Sequence, residues 1–285
     1  MLRQRIITAA VLLVVLAAAV AAPQPIWMLA LLALTAACAC WEWLRLTLPE
    51  RVPAIVPRLV ALIVFCFLMA LAWIWSSPMG GVLPQELLAS GALVVLVSLI
   101  WLVCATTAVV RGRADAPPAS MGWSTFAVLA TVSAWIVLAV MYMAFGPLFV
   151  LTLLLLVWAA DICAYFGGRK FGRRKLAPRV SPGKTVEGAL CGLLGAVVVT
   201  LVGAWWPDTF GYMLVDRWSV WGAIPVAAIL GAVSIMGDLF ESLLKRRAGV
   251  KDSSGLLPGH GGVLDRIDAI LPVVPIALLI SGALF

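Results

Sequence analysis

The chain has 285 residues, 64% of them hydrophobic and only 12% charged, with 13 tryptophans and a mean hydropathy of +1.11. That profile excludes an ordinary soluble domain and fits an all-α, polytopic integral membrane protein. The net charge of +7 does not argue for nucleic acid, because 19 of the 20 Lys and Arg residues fall on segments that membrane orientation explains.

Apolar runs of about the ~20 residues that cross a bilayer core predict nine spans, at approximately 6–22, 26–44, 58–75, 86–110, 121–142, 147–166, 186–206, 219–240 and 269–285. The first follows Arg3 and Arg5 and ends in small residues, a pattern that also fits a cleavable signal peptide. A retained helix is the preferred reading, because Pro23 to Pro25 leads straight into the next apolar run. The six cysteines (Cys38, Cys40, Cys66, Cys104, Cys163 and Cys191) all lie in apolar runs, where a thiol behaves as a small hydrophobe. No zinc-type spacing accompanies them, and a single histidine, His260, cannot complete a cluster.

The loops orient the spans. With the N-terminus in the cytoplasm, Arg217 alone among the basic residues falls outside, which satisfies the positive-inside rule and puts the C-terminus on the far side. The first five spans are read as scaffold: no ionisable residue is assigned to their interiors, Glu86 sits at an end, and Trp27, Trp41, Trp43, Trp73, Trp75 and Trp123 are expected as interfacial anchors. Two regions follow, an N-terminal scaffold of about five helices (1–145) and a C-terminal catalytic region of about four (146–285) with cytoplasmic loops at 167–185 and 241–268.

Chemistry begins at Asp161, one helical turn before Tyr165 and close to the cytoplasmic end of the sixth span. An acid at membrane depth is costly, so it is placed where it has a partner: either a nearby arginine or a functional site. Ser181 to Thr185 reads SPGKT, but a phosphate-binding P-loop needs glycine where Pro178 stands, and no strand precedes it. A helix N-terminus with Ser181 and Lys184 beside it remains suited to a phosphate, while plain N-capping by Ser181 or Thr185 and a first-turn role for Glu187 are the bland alternatives.

The richest stretch is Ser242 to Asp268, SLLKRRAGVKDSSGLLPGHGGVLDRID. Asp238, Glu241, Ser242 and Lys245 at i, i+3, i+4 and i+7 predict one polar helix face. Five glycines and Pro258 between Gly249 and Gly262 then break the helix and let backbone N–H groups approach a ligand. Carboxylates repel phosphates, so Asp238 and Asp265 acting on a phosphorylated substrate need a divalent cation between them, with Lys and Arg neutralising the rest. The mixture points to magnesium-assisted phosphoryl or nucleotidyl transfer.

Ser242-Leu-Leu-Lys245-Arg246, Lys251-Asp252 and Leu257-Pro258-Gly259-His260-Gly261-Gly262-Val263-Leu264-Asp265-Arg266-Ile267-Asp268 together resemble the signature of the phosphatidate cytidylyltransferases, or CDP-diacylglycerol synthases. Asp161-x-x-Ala164-Tyr165 and Ser181-Pro182-x-Lys184-Thr185-x-Glu187-Gly188 are similar to that family too. The resemblance implies that CTP and phosphatidic acid give CDP-diacylglycerol and pyrophosphate, with the lipid phosphate as nucleophile. It implies Asp238 and Asp265 as metal ligands, Mg²⁺ as the catalytic ion with K⁺ as a companion, and catalytic roles for Asp238, Asp265 and Lys245. Expected substrate contacts are Asp161, Tyr165, Ser181, Lys184, Glu187, Ser242, Arg246, Lys251, His260, Arg266 and Asp268; an ion pair from Arg266 to Asp265, and a purely loop-shaping His260, stay open. It also implies a homodimer in a bacterial inner membrane with the site facing the cytoplasm. Pro225, Pro272 and Pro275 are expected to kink the flanking spans. Two other classes compete: a CTP-dependent lipid kinase, which would leave a γ-phosphoryl product, and a transporter, which would carry charges near the middle of several spans.

Overall fold

The computed structural model describes residues 2–77 and 91–281, so the start of the predicted fourth span, with Glu86, lies outside the described residues. The chain is mostly helical. In order, the elements are α1 (Leu2–Ala21), α2 (Ile26–Thr47), α3 (Ile55–Ser76), α4 (Ala92–Arg111), α5 (Met121–Phe171), β1 (Lys175–Ala177), β2 (Ser181–Thr185), α6 (Val186–Gly203), α7 (Phe210–Arg247), α8 (Leu264–Ile267) and α9 (Ile270–Ser281). Among the described residues, six helices (α2 to α7) are long and apolar enough to cross a membrane. Ile63, Trp73 and Leu194 point outward from them, which suits a surface facing lipid.

Sequence punctuation sets the helix ends and breaks. Ser120, Thr185 and Thr209 cap α5, α6 and α7 by accepting from the backbone N–H three residues on, at 3.3, 3.1 and 3.1 Å. Such caps satisfy N–H groups that the first helical turn leaves open. Helix α5 runs for 51 residues but is broken at Gly146, whose φ of 83° suits glycine, just before Pro147. It is therefore two helices end to end, as the separate spans 121–142 and 147–166 anticipated. The break in α7 lies at Ser219, with φ 59°, and not at Pro225. A six-residue π-helical segment, Ile100–Ala105, widens α4 where Trp101 enters the core.

Two of the expected interfacial tryptophans are buried instead. Trp43 is 1% exposed and packs its ring within 5.8 Å of Trp101 and 5.5 Å of Phe240. Trp75 stacks on Trp135 at 5.5 Å. Offset and edge-on aromatic pairs contribute about 0.5–1.5 kcal/mol each beyond area burial, so this cluster ties α2, α4, α5 and α7 together directly behind the polar end of α7.

Helices α5 and α6 approach closely because glycine lines the seam. A Cβ added at Gly192 would stand 2.8 Å from the Ala160 carbonyl oxygen, and one at Gly195 2.6 Å from Cys163 Sγ. Close backbone approach of this kind is the main source of helix association where no hydrophobic effect operates between apolar surfaces. It fixes α5, carrying Asp161, against the hairpin and α6.

Candidate active site

Between the end of α5, the β1–β2 hairpin, the end of α7 and the loop into α8 lies a cavity of about 790 Å³. It is lined by Asp161, Tyr165, Ser181, Lys184, Asp238, Lys245, Asp265, Arg266 and Asp268, all singled out from the sequence, together with Arg169, Glu241 and Asp252. Four stretches separated by up to about a hundred residues converge there.

The α7 face forms as its spacing predicts. Ser242 Oγ lies 3.3 Å from Asp238 Oδ1, and the Lys245 ammonium reaches Glu241 one turn back on the same face. Lys245 Nζ also meets Asp265 Oδ1 at 2.6 Å, joining α7 to α8. Across the cavity, Lys184 of β2 pairs with Asp238 Oδ2 at 2.6 Å. Ser181 does not start a helix: it opens a short strand that pairs antiparallel with β1, and Thr185 alone caps α6. The hairpin is the device that carries Lys184 to Asp238.

Asp265 is held by the loop that precedes it. Its Oδ2 accepts from Ser253 N at 3.0 Å, Ser253 Oγ at 2.9 Å and Gly262 N at 2.7 Å. The loop folds tightly enough for this because Gly261 takes a φ of 82°, and a Cβ there would sit 2.7 Å from that same oxygen. Burial by itself would raise the Asp265 carboxyl, yet contacts with Glu241 and Lys245 and the Gly262 N–H hold it well below the usual carboxylate range. Asp268 goes the other way. Burial first, then the neighbouring charge of Asp238, with a smaller push from Asp161, raises its carboxyl well above the usual range; the Ala269 N–H and Lys184 only partly offset them.

Other expected residues lie outside the cavity lining. Glu187 accepts from the backbone N–H groups of Arg173 and Arg174 at 2.9 and 3.1 Å and pairs with the Arg174 side chain, so it pins the entry to the hairpin. Arg246 Nε lies 3.4 Å from the Val180 carbonyl, Ser242 supports Asp238, and Lys251 is exposed. His260 shapes the loop: its N–H bonds Leu257 O, and its carbonyl accepts two bonds from Arg266, at 3.1 and 2.8 Å. Arg266 thus braces the loop rather than pairing with Asp265.

Glu42 was not anticipated. It falls inside the predicted span 26–44, is fully buried, and accepts from Ser253 Oγ, Ser254 Oγ, Val263 N and Leu264 N at 3.0, 2.5, 3.0 and 2.6 Å. A lone acid among apolar residues was the available signal, since a buried carboxylate demands partners.

The sequence profile described as the Cytidylyltransferase family matches residues 3–283. The chain belongs to that family. A phosphatidate cytidylyltransferase of Pseudomonas aeruginosa is 38% identical over 286 residues, covering 97% of this chain and 95% of that protein. The Haemophilus influenzae phosphatidate cytidylyltransferase is 49% identical over 130 residues, 46% of this chain and 44% of that protein. One from Thermotoga maritima is 44% identical over 146 residues, 49% of this chain and 51% of its own length. With these last two the match therefore spans about half of each protein, whereas with the Pseudomonas cytidylyltransferase it runs nearly end to end.

Among the described residues, no group of three or more His, Cys, Asp or Glu side chains stands close enough to hold an ion. Mg²⁺ takes one or two carboxylates and completes its shell with water and substrate phosphate, so such a cage is not required. Asp238 and Asp265 both line the cavity, with Asp161 and Asp268 on the same lining, and each of the first two has a carboxylate oxygen paired with a lysine, Lys184 and Lys245. Hard carboxylate oxygens, in a cavity that also offers cations for phosphate, fit Mg²⁺.

Proposed function

We propose that the chain catalyses CTP + phosphatidic acid → CDP-diacylglycerol + pyrophosphate. The observation that carries this is the near end-to-end similarity to the Pseudomonas phosphatidate cytidylyltransferase, joined to a cavity in which acids and bases from four stretches of chain converge. The lipid kinase alternative is not favoured, because the matching family is one of cytidylyltransferases.

The lipid phosphate is already anionic and attacks the α-phosphorus of CTP without a general base. The new P–O bond forms as the bond to the bridging oxygen of the β-phosphate breaks, and pyrophosphate leaves with that electron pair. Lys184, Lys245, Arg169 and Arg266 supply the positive charge that holds the phosphates. Cations held in place by the fold stabilise the charge that develops as pyrophosphate departs, and they do so without reorganising. Asp238 and Asp265 would hold Mg²⁺; the loop N–H groups fix the Asp265 carboxylate through Oδ2, while Oδ1 faces Lys245. Bound there, Mg²⁺ would offset phosphate charge and favour pyrophosphate as leaving group. Tyr165, exposed beside Phe166, and Asp161 border the side of the cavity formed by α5, where the lipid is expected to enter.

The wider setting belongs to the same proposal. Nine spans, a cytoplasmic N-terminus and a site at the cytoplasmic face of a bacterial inner membrane are supported by the distribution of Lys and Arg. K⁺ as companion ion and a homodimer rest on the resemblance of the signature.

Pyrophosphate release by the purified chain in mixed micelles tests the reaction, with CTP, phosphatidic acid and Mg²⁺ omitted in turn and Asp265→Asn alongside. Release that needs all three and collapses in the variant is expected. Transfer of the γ-phosphate of CTP to a lipid would put the kinase ahead, and no release by folded protein would overturn the assignment.

A further inference from the structure

Glu42 is a buried acid to which the reaction assigns no role. It stands in α2, on the first half of the chain, and its four hydrogen-bond donors all come from residues 253–264. Oε1 takes Ser254 Oγ and Val263 N, and Oε2 takes Ser253 Oγ and Leu264 N, so both carboxylate oxygens are filled. Gly262 lies so close that a Cβ there would stand 2.5 Å from Oε2. Thr8 of α1 adds a bond to the Pro258 carbonyl at 2.9 Å. The loop is thereby gripped from the helices read as scaffold.

The grip acts on the reaction through two routes. Ser253 Oγ bridges Glu42 to Asp265, and Val263 N and Leu264 N open α8, the single turn that carries Asp265. A turn of four residues has too few internal bonds to hold its own orientation, because helix nucleation is unfavourable. An anion receiving its first N–H groups supplies what the short helix lacks.

We infer that Glu42 is a positioning residue for nucleotidyl transfer, a clamp in α2 that fixes the 253–264 loop and aims Asp265 into the cavity. The inference rests on the reaction proposed above. Because Glu42 touches neither the cavity nor its substrates, it governs how often the site is correctly assembled, and its loss lowers kcat more than it raises KM.

Glu42→Gln keeps the shape and removes the clamp's second acceptor. Whichever way the amide turns, its NH₂ faces one backbone N–H, of Val263 or of Leu264. Two measurements on the full chain separate the clamp from the reaction. The first is hydrogen–deuterium exchange at the Val263 and Leu264 amides, which needs no activity; Glu42→Gln is expected to speed it at least tenfold while the amides of α3 stay unchanged. The second is steady-state pyrophosphate release, where kcat is expected to fall at least tenfold and KM for CTP and phosphatidic acid to move less than threefold. Ser254→Ala, which removes the bond donated to Glu42 together with the one accepted from Leu256 N, is expected to lower kcat in the wild type and to lower it by clearly less in Glu42→Gln. It also serves as the test if Glu42→Gln does not fold. Leu29→Ala, a cavity-forming change thirteen residues earlier in α2, controls for general destabilisation and should leave kcat unaltered.

Unchanged amide exchange in Glu42→Gln, or additive effects of the two substitutions, would overturn the clamp. So would a loss of kcat in Leu29→Ala equal to that in Glu42→Gln. A wild-type chain that releases no pyrophosphate while its Glu42→Gln variant shows faster exchange at residues 263 and 264 would instead overturn the reaction and leave the loop contact standing.

Discussion

Glu42 and Asp265, 223 positions apart, both accept from the one hydroxyl of Ser253, at 3.0 and 2.9 Å. A serine hydroxyl carries a single proton, so the two carboxylates share a donor and are not independent. Ser253→Ala removes the bridge while leaving the backbone N–H of residue 253 on Asp265. A hydrogen bond to a charged group contributes about 1.5–3 kcal/mol, and loss of this one is expected to lower kcat about tenfold or more. Pyrophosphate release at saturating CTP and phosphatidic acid measures it.

Lys184 is the base that offsets Asp161, Asp238 and Asp268 across the cavity. Lys184→Met leaves those acids facing the incoming triphosphate with less compensation. The expected result is a fall in kcat/KM for CTP of about 100-fold, near 2.7 kcal/mol, and a lower Mg²⁺ concentration at half-maximal rate, because Asp238 loses the cation that competes for it. A magnesium titration at fixed CTP checks both.

Gly237 precedes Asp238 in α7, and a Cβ there would stand 2.6 Å from the Asp268 carbonyl oxygen and 2.7 Å from Pro272 Cγ. Both are backbone or ring atoms that cannot swing aside. Gly237→Ala is expected to cost about 1–3 kcal/mol as overpacking does, and to push α8 and α9 away from α7. A lower melting temperature in detergent, together with loss of activity, would show it.

Glu187 serves the hairpin and not the cavity. Glu187→Gln is expected to leave kcat within about threefold, less than one hydrogen bond's worth, while tryptic cleavage at Arg173 and Arg174 speeds up as their N–H anchors weaken. Limited digestion followed by mass analysis of the fragments decides this.

The Asp265 carboxyl lies below its ordinary range of about 3.9 because Lys245, Glu241 and the loop N–H outweigh the cost of burial. Its folded value is depressed, so the stability it lends is present above the unfolded value and is lost only as pH falls through the lower folded one. The amides of Ser253 and Gly262 are therefore expected to stay protected from exchange at pH 5, as at pH 7. Exchange measured at both, corrected for the intrinsic rate, tests the expectation.

The polar face of α7 was legible because it is local: a 3.6-residue period puts Asp238, Glu241, Ser242 and Lys245 on one side whatever the rest of the chain does. The glycine loop was legible for the same reason, since Gly259 and Gly261 with φ of 76° and 82° express a freedom written into the residue. Nine of the residues chosen from the sequence do line one cavity. Composition likewise fixed the apolar helices.

Partnership across the chain was not legible. Glu42 looks like an isolated acid near a span end until the fold brings residues 253–264 onto it, and nothing within a turn of it points to donors more than two hundred positions away. Trp43 and Trp75 suit a membrane interface by type, and only packing against Trp101, Phe240 and Trp135 decides that they are core. For Arg266 the sequence left open a substrate contact or an ion pair with Asp265, and the turn at 257–261 instead brings the His260 carbonyl to it. Glu187 sits beside the phosphate-like SPGKT stretch, yet the hairpin turns its carboxylate toward residues 173 and 174. Sequence determines what each segment prefers by itself; which buried polar groups satisfy one another depends on close approach between distant segments, and that only the tertiary structure decides.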